Sequence, residues 1–197
     1  VNYNADNGSD FTDVLIETSA VPLVTGALGI EQEPPSESAK HLRHNTFALD
    51  ALDRLPGEAG PKFVFAHVLL PHPPYVFDSD GRYIPPAEAA TIREVDAWHR
   101  QLDYTNSRLR AFIEGLLARP ESEQPIIILQ ADEGPWPERY GADKFGFDWP
   151  TATPRELEMK FGIMNAWYVP GGTGALALDQ RQSAINTFPV LFGRYFG

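Results

Sequence analysis

Two short runs hold residue types that could do chemistry: Asp132-Glu133-Gly134 and Pro71-His72-Pro73-Pro74. Asp132 closes the run Ile126-Ile127-Ile128-Leu129-Gln130-Ala131, and Gly134 allows the backbone to turn sharply. A carboxylate at the end of a buried strand is either desolvated or paired with a cation. Glu133 adds a second negative charge, and a divalent metal ion would offset both. The structural alternative is that Asp132 caps the next turn or helix while Glu133 is solvated. His72 lies in a loop whose prolines fix its position at little entropic cost. A neutral imidazole there could ligate a metal, and a protonated one could bind an anionic ester oxygen. Alternatively, His72 only hydrogen-bonds its own loop.

The other histidines are weaker candidates. His67 alternates with apolar neighbours, which predicts a histidine hydrogen-bonded in the core, whereas His41, His44 and His99 read as surface residues. Gly171-Gly172-Thr173-Gly174 lacks the lysine and spacing of a phosphate loop and reads as a turn. The chain has no GxSxG, HExxH or zinc-finger spacing. Its lack of cysteine excludes disulfides, thiolate zinc sites and a cysteine nucleophile. A net charge of −11 repels phosphate backbones, so no general nucleic-acid partner is expected. An anionic substrate would need a local positive element.

Stepping outward, 197 residues with ordinary hydrophobic and charged content can bury one domain core. Residues 1–40 read as a loop-rich N-terminal segment, with apolar stretches at Val14-Leu15-Ile16 and Val21–Val24 and an exposed connector at Glu31–Ser38. Residues 41–197 read as an α/β domain. The spacing of Phe47, Leu49 and Leu52 predicts a helix over Asn45–Leu55, stopped by Pro56-Gly57. Lys62–Leu70 (KFVFAHVLL), bounded by prolines, predicts a strand buried on both faces. Pro71–Pro86 reads as a structured loop. Val95, Trp98, Leu102, Leu109, Phe112, Ile113, Leu116 and Leu117 then recur at helical spacing, predicting one long helix over Ala87–Ala118. Pro125–Ala131 and Ile163–Val169 read as further strands, and Asp179–Phe192 as a helix interrupted or bent near Pro189. Strand, long helix, strand is the pattern of a parallel β-α-β unit. Parallel strands would bring His72 and Asp132 to the same sheet edge, where ligands gather in open α/β sheets.

These residues, in this order, resemble the C-terminal part of the sulfatase-like branch of the alkaline phosphatase superfamily. Phe63–Gly81 (FVFAHVLLPHPPYVFDSDG), Phe161–Pro170 (FGIMNAWYVP) and Ile185–Gly197 (INTFPVLFGRYFG) are similar to a bacterial subgroup of membrane-anchored sulfatase-like proteins. The similarity spans roughly residues 40–197 and, weakly, Asp10–Thr18. It implies an α/β fold with a mixed or mostly parallel sheet flanked by helices, an incomplete alkaline-phosphatase-like (sulfatase-like) fold.

In that superfamily an Asp-His-Gly motif ends the strand, and both of its side chains bind the catalytic metal. Asp132 matches the aspartate, and Glu133 stands at the histidine position, so the resemblance implies Asp132 as a metal ligand and Glu133 as a candidate second. The ion would be Ca²⁺, Mn²⁺, Mg²⁺ or Zn²⁺. His72 matches the histidine of a Pro-His-x-Pro motif that contacts the substrate ester, and Lys144 falls where sulfatases often place a substrate lysine. The family's nucleophile and first metal aspartates precede everything matched here, and no segment of this chain matches them. The chain, which begins at Val1, therefore reads as an excised or processed piece, inactive alone, of an extracytoplasmic hydrolase or transferase acting on a sulfate or phosphate ester. Its membrane anchor would lie in segments absent from this chain. A degenerate, non-catalytic sulfatase-like domain that binds a partner or glycan is the competing expectation.

Overall fold

The computed structural model describes residues 36–137, 139, 147–172 and 183–195. The readings for residues 1–35, for Lys144, for Thr173-Gly174 and for the start of the predicted C-terminal helix lie outside the described residues. The chain divides into two compact units, Val1–Leu116 and Leu117–Gly197.

In the first unit, helix α1 spans Glu37–Arg54. Its start is fixed by Ser36, whose side chain accepts a hydrogen bond from the Ala39 N–H, and by Glu37 in the first turn. It therefore begins eight residues before the predicted Asn45. The buried stripe His41, Asn45, Leu49, Leu52 keeps helical spacing, but its first two members are polar and hide it from a hydrophobicity count. Helix α2 (Pro86–Ala89) and helix α3 (Glu94–Leu117) replace the single helix expected over Ala87–Ala118. At the break, the Thr91 hydroxyl donates to the Glu88 carbonyl, a local bond that competes with the helical ladder. The most buried line of α3 is Ala97, Gln101, Thr105 and Leu116, while Trp98, Leu102, Leu109, Phe112 and Ile113 are half-buried.

The loop after α1 corrects the sequence reading most sharply. Lys62–Leu70 forms no strand, and Phe63 and Phe65 are 74% and 77% exposed. An apolar β-prone run becomes a central strand only when neighbours supply both ladder edges, and no strand of the first unit does so among the described residues. Side chains of α1 hold the segment instead: Asn45 Oδ1 accepts the Leu69 N–H at 2.9 Å, and His44 Nε2 lies 3.3 Å from the His67 carbonyl. His67 itself is exposed rather than buried in a core.

The proline-rich loop then supplies the core. Leu70, Val76 and Phe77 pack with Leu49 of α1, and Leu42, Val68 and Tyr104 close around them. Each such side chain, fully buried, contributes about 1.5–3 kcal/mol. Leu70-Pro71 and Pro73-Pro74 are cis peptide bonds. A Phe77–Tyr83 bridge closes the following turn, in which Asp78 Oδ1 accepts the N–H groups of Asp80 and Arg82. Gly81 sits at φ +83° against the Tyr104 ring, where a Cβ would lie 2.5 Å from a ring carbon.

In the second unit, strand β1 (Ile127–Gln130) pairs with strand β2 (Asn165–Tyr168). The pairing is antiparallel, in the register Ile127 to Tyr168 through Gln130 to Asn165. With Lys62–Leu70 not a strand and β1 paired to β2 in this sense, the parallel β-α-β expectation is overturned, and its argument for a shared sheet edge falls with it. What the described residues show is a mixed α and β chain with a two-stranded antiparallel sheet. Between the strands, helix α4 (Pro154–Phe161) opens with a capping box: Thr153 accepts from the Glu156 N–H and Glu156 accepts from the Thr153 N–H. Helix α5 spans Thr187–Tyr195. Pro189 falls in its first turn, where a missing N–H leaves no intrahelical bond unmade, so the helix is not interrupted there.

Candidate functional site

His72 is exposed at the apex of its loop, and the loop is built to hold it. Two fully buried amides pin the backbone on either side. Gln101 Nε2 donates to the His72 carbonyl at 3.0 Å, while its Oε1 accepts the N–H groups of Val76 and Phe77 at 2.8 and 3.2 Å. Asn45 Nδ2 donates to the His41 carbonyl at 2.8 Å, and its Oδ1 takes the Leu69 N–H. Every polar atom of these two amides that faces the loop is used, as buried amides require.

The His72 ring is oriented as well. Its Nδ1 lies 2.5 Å from the Pro73 carbonyl oxygen, which can only accept, so Nδ1 carries the proton. Nε2 is then the working atom, offering a lone pair when the ring is neutral and an N–H to an anion when it is protonated.

His41 was expected on the surface and is instead 7% exposed, with Nε2 buried and without a hydrogen-bond partner among the described residues. Burial is the main reason its pKa is lowered to about 4, and repulsion from His72 and His44 adds to it. A hydrogen bond with the His72 backbone works the other way. Thus the imidazole bonded to the His72 backbone is neutral. His44 is half-buried and His99 exposed.

In the second unit, Asp132 and Glu133 are both exposed at the end of β1, and Asp132 Oδ1 accepts the Glu133 N–H at 2.9 Å. The next contact was not legible in the local sequence. Glu133 Oε2 lies 2.6 Å from the ammonium of Lys160, whose side chain is 2% exposed. That ammonium also donates to the Gly134 carbonyl at 3.3 Å and sits 3.3 Å from the centre of the Trp136 ring. A carboxylate, a carbonyl and an aromatic face together satisfy a buried lysine. The cation–π contact is worth about 2 kcal/mol when desolvated, and the ion pair about 1 kcal/mol because Glu133 remains half in water.

Gly134 closes the arrangement. Its N–H donates to the Lys160 carbonyl at 2.7 Å, and a Cβ there would lie 2.0 Å from the Met159 carbonyl oxygen. The glycine is therefore required by this close approach to the end of α4.

Both carboxylates would have to face a divalent ion for the strand end to hold one as the resemblance implies. Glu133 is already paired with Lys160, and no cluster of three His, Asp or Glu side chains able to hold a metal occurs among the described residues. The Asp132–Glu133 pair does not fit a two-carboxylate metal centre. His72 belongs to the first unit and Asp132 and Glu133 to the second, while Lys144 lies outside the described residues. Two shallow hollows, of about 430 and 500 Å³, line the α1 face at Leu42, Arg43 and Phe47 and the end of β2 at Glu121, Trp167 and Gly171; neither includes these residues. No family model, curated protein or solved structure matches the chain.

Sequence reasoning missed four residues that shape these places: Asn45, Gln101, His41 and Lys160. The first three left a signal, because each is a polar residue at a stripe position of an amphipathic helix. Lys160 left none locally.

Proposed function

We propose that this chain is the C-terminal portion of an extracytoplasmic, membrane-anchored hydrolase or transferase acting on a sulfate or phosphate ester, with an incomplete sulfatase-like α/β fold. The observation that carries the reading is the presentation of His72. An exposed imidazole has one nitrogen committed to its own loop, on a backbone pinned by two fully buried amides. A histidine that only stabilised its loop would not need so much support from elsewhere in the unit. In this reading protonated His72 binds an anionic oxygen of the ester, and Lys144 is a further substrate contact. The nucleophile lies in sequence preceding the matched segments. In this reading the chain offers a divalent ion Asp132, with Glu133 taken up by Lys160.

Turnover of 4-nitrophenyl sulfate and bis(4-nitrophenyl) phosphate by the full-length protein tests this. His72→Ala should lower kcat/KM for the accepted ester by about 10²-fold or more, the usual cost of losing one charge-stabilising donor. Absence of turnover on both ester classes, together with no sulfate or phosphate binding detectable at the His72 ring by NMR, would sink the reading.

A second reading is supported by the Glu133–Lys160 pair. A strand end whose Glu133 is held by a lysine suits a sulfatase-like domain that catalyses nothing and binds a partner or glycan. Anion binding at His72 without turnover would select it.

A further inference from the structure

We infer that Lys160 is the resident cation of the Asp132-Glu133-Gly134 strand end: its buried ammonium takes the place a divalent ion would occupy and withdraws Glu133 from any metal ligand set. The inference stands on the second unit alone and holds whether or not the ester reading of His72 is right.

Three observations converge. First, the lysine is not a surface side chain that happens to reach a carboxylate. It is 2% exposed, and its Nζ is surrounded by Glu133 Oε2 at 2.6 Å, the Gly134 carbonyl at 3.3 Å and the Trp136 ring at 3.3 Å. An ammonium has three N–H donors, and those three partners accept them.

Second, the backbone places it there. Thr153 and Glu156 fix the start of α4, and at its other end the Gly134 N–H is tied to the Lys160 carbonyl at 2.7 Å. The loop leaving β1 and the last turn of α4 are thus joined through main chain as well as side chain, with no room for a Cβ at Gly134.

Third, the helix spends its one buried position on the charge. Leu157, Met159 and Phe161 are exposed while Lys160 is not. A helix positioned by the hydrophobic effect alone would turn the other way. In this orientation α4 brings a cation to the strand end, while Phe161 lies 5.3 Å from the Trp149 ring.

The electrostatic consequence concerns metal binding directly. A divalent ion at Glu133 would meet a positive charge held 2.6 Å from the same carboxylate, and binding would require that ion pair to break and the ammonium to find new partners. Asp132, which forms no ion pair among the described residues, keeps its carboxylate available. The strand end therefore behaves as a single-carboxylate position with its own fixed monocation.

Mn²⁺ alone is the probe, titrated into the chain and followed by calorimetry and water-proton relaxation. In the wild-type chain, Glu133→Gln should leave Mn²⁺ affinity unchanged within about twofold, because the carboxylate is not a ligand. Lys160→Met, which removes the charge and keeps the side-chain length, should bind Mn²⁺ at least about tenfold more tightly than wild type, and Glu133→Gln in that background should abolish the gain. A structural role alone would not produce a new metal site. A tenfold loss of Mn²⁺ affinity on Glu133→Gln in the wild-type chain would overturn the inference, as would a folded Lys160→Met variant without any gain. Should Lys160→Met fail to fold, Lys160→Gln, which keeps a donor towards Glu133 and the Gly134 carbonyl without the charge, takes its place, with the same tenfold gain expected and its absence overturning the inference.

Discussion

Lowering the pH from 7 to 5 should destabilise the first unit through His41, and the size of the effect follows from its surroundings. His41 is buried, with His44 on its own helix and His72 in the loop above it, and its pKa falls from the ordinary 6.5 to about 4. The folded form therefore favours the neutral ring. Above the unfolded pKa both states are neutral and nothing is lost. As the pH falls below it the unfolded chain takes up a proton that the folded chain refuses, and the loss is complete once the folded pKa is passed. The whole window corresponds to about 3 kcal/mol, of which about 2 kcal/mol is lost by pH 5. Urea unfolding at the two pH values isolates the term if wild type is compared with His41→Leu. The variant has a packing cost of its own at pH 7, but its further loss on going to pH 5 should be smaller than wild type's by about 2 kcal/mol. Carboxylates that titrate in the same window are common to both proteins and cancel. Equal losses within about 0.5 kcal/mol, or an NMR titration placing the His41 midpoint at its ordinary value, would refute the reasoning.

Gln101→Ala removes the acceptor for the buried Val76 and Phe77 N–H groups and the donor to the His72 carbonyl, and should cost about 2–3 kcal/mol in urea unfolding. It should also weaken phosphate binding at an unaltered His72 by about tenfold or more, since the imidazole is no longer held in place. Gly134→Ala pushes a methyl group into the Met159 carbonyl and should destabilise the second unit by about 1–3 kcal/mol, seen as a lowered denaturant midpoint. Glu156 is held at a pKa of about 2 by its hydrogen bonds with Arg139 and the Thr153 backbone. Its contribution is present above the ordinary carboxylate range and disappears as the pH falls through about 2. Glu156→Gln should remove that acid transition from the circular dichroism of α4.

Local chemistry made the helices legible where it was decisive and misled where packing decided. The stop at Pro56-Gly57 and the end of the long helix before Pro120 follow from proline's missing donor and from chain termination signals, and both sit within about two residues of the expected place. The Ile-rich run and the Ile163–Val169 run both contain strands, because each supplies the other with a ladder edge, which Lys62–Leu70 lacks. Pairing sense could not be read in the same way. Both parallel and antiparallel ladders accept an apolar run, and the long helix between Lys62–Leu70 and β1 suggested a crossover that the structure does not contain. The N-terminal turns of α1 were invisible because their buried positions, His41 and Asn45, are polar. Asn45 holds the Leu69 N–H and His41 bonds the His72 backbone, so both are inside to hold the loop rather than to fill space.

The strand end shows where reading along the chain stops. Asp132 and Glu133 close an apolar run, where carboxylates buried with the strand would call for a positive charge. Sequence alone left that charge as either a metal or nothing, since the nearby residues supply no cation. Lys160 supplies it from the far end of a capped helix in which Leu157 and Phe161 are more exposed than the lysine. A hydrophobicity-based reading of α4 buries the opposite face and so removes the lysine from consideration. The requirement was written in β1 and its answer in α4. What joins them is the Gly134 contact, which appears only when the two backbones meet. The same logic extends to other acidic strand ends: a glycine after the carboxylates that has no positive φ but no space for a Cβ marks a second backbone close by, and a charged residue in that backbone is the first candidate for the missing counterion.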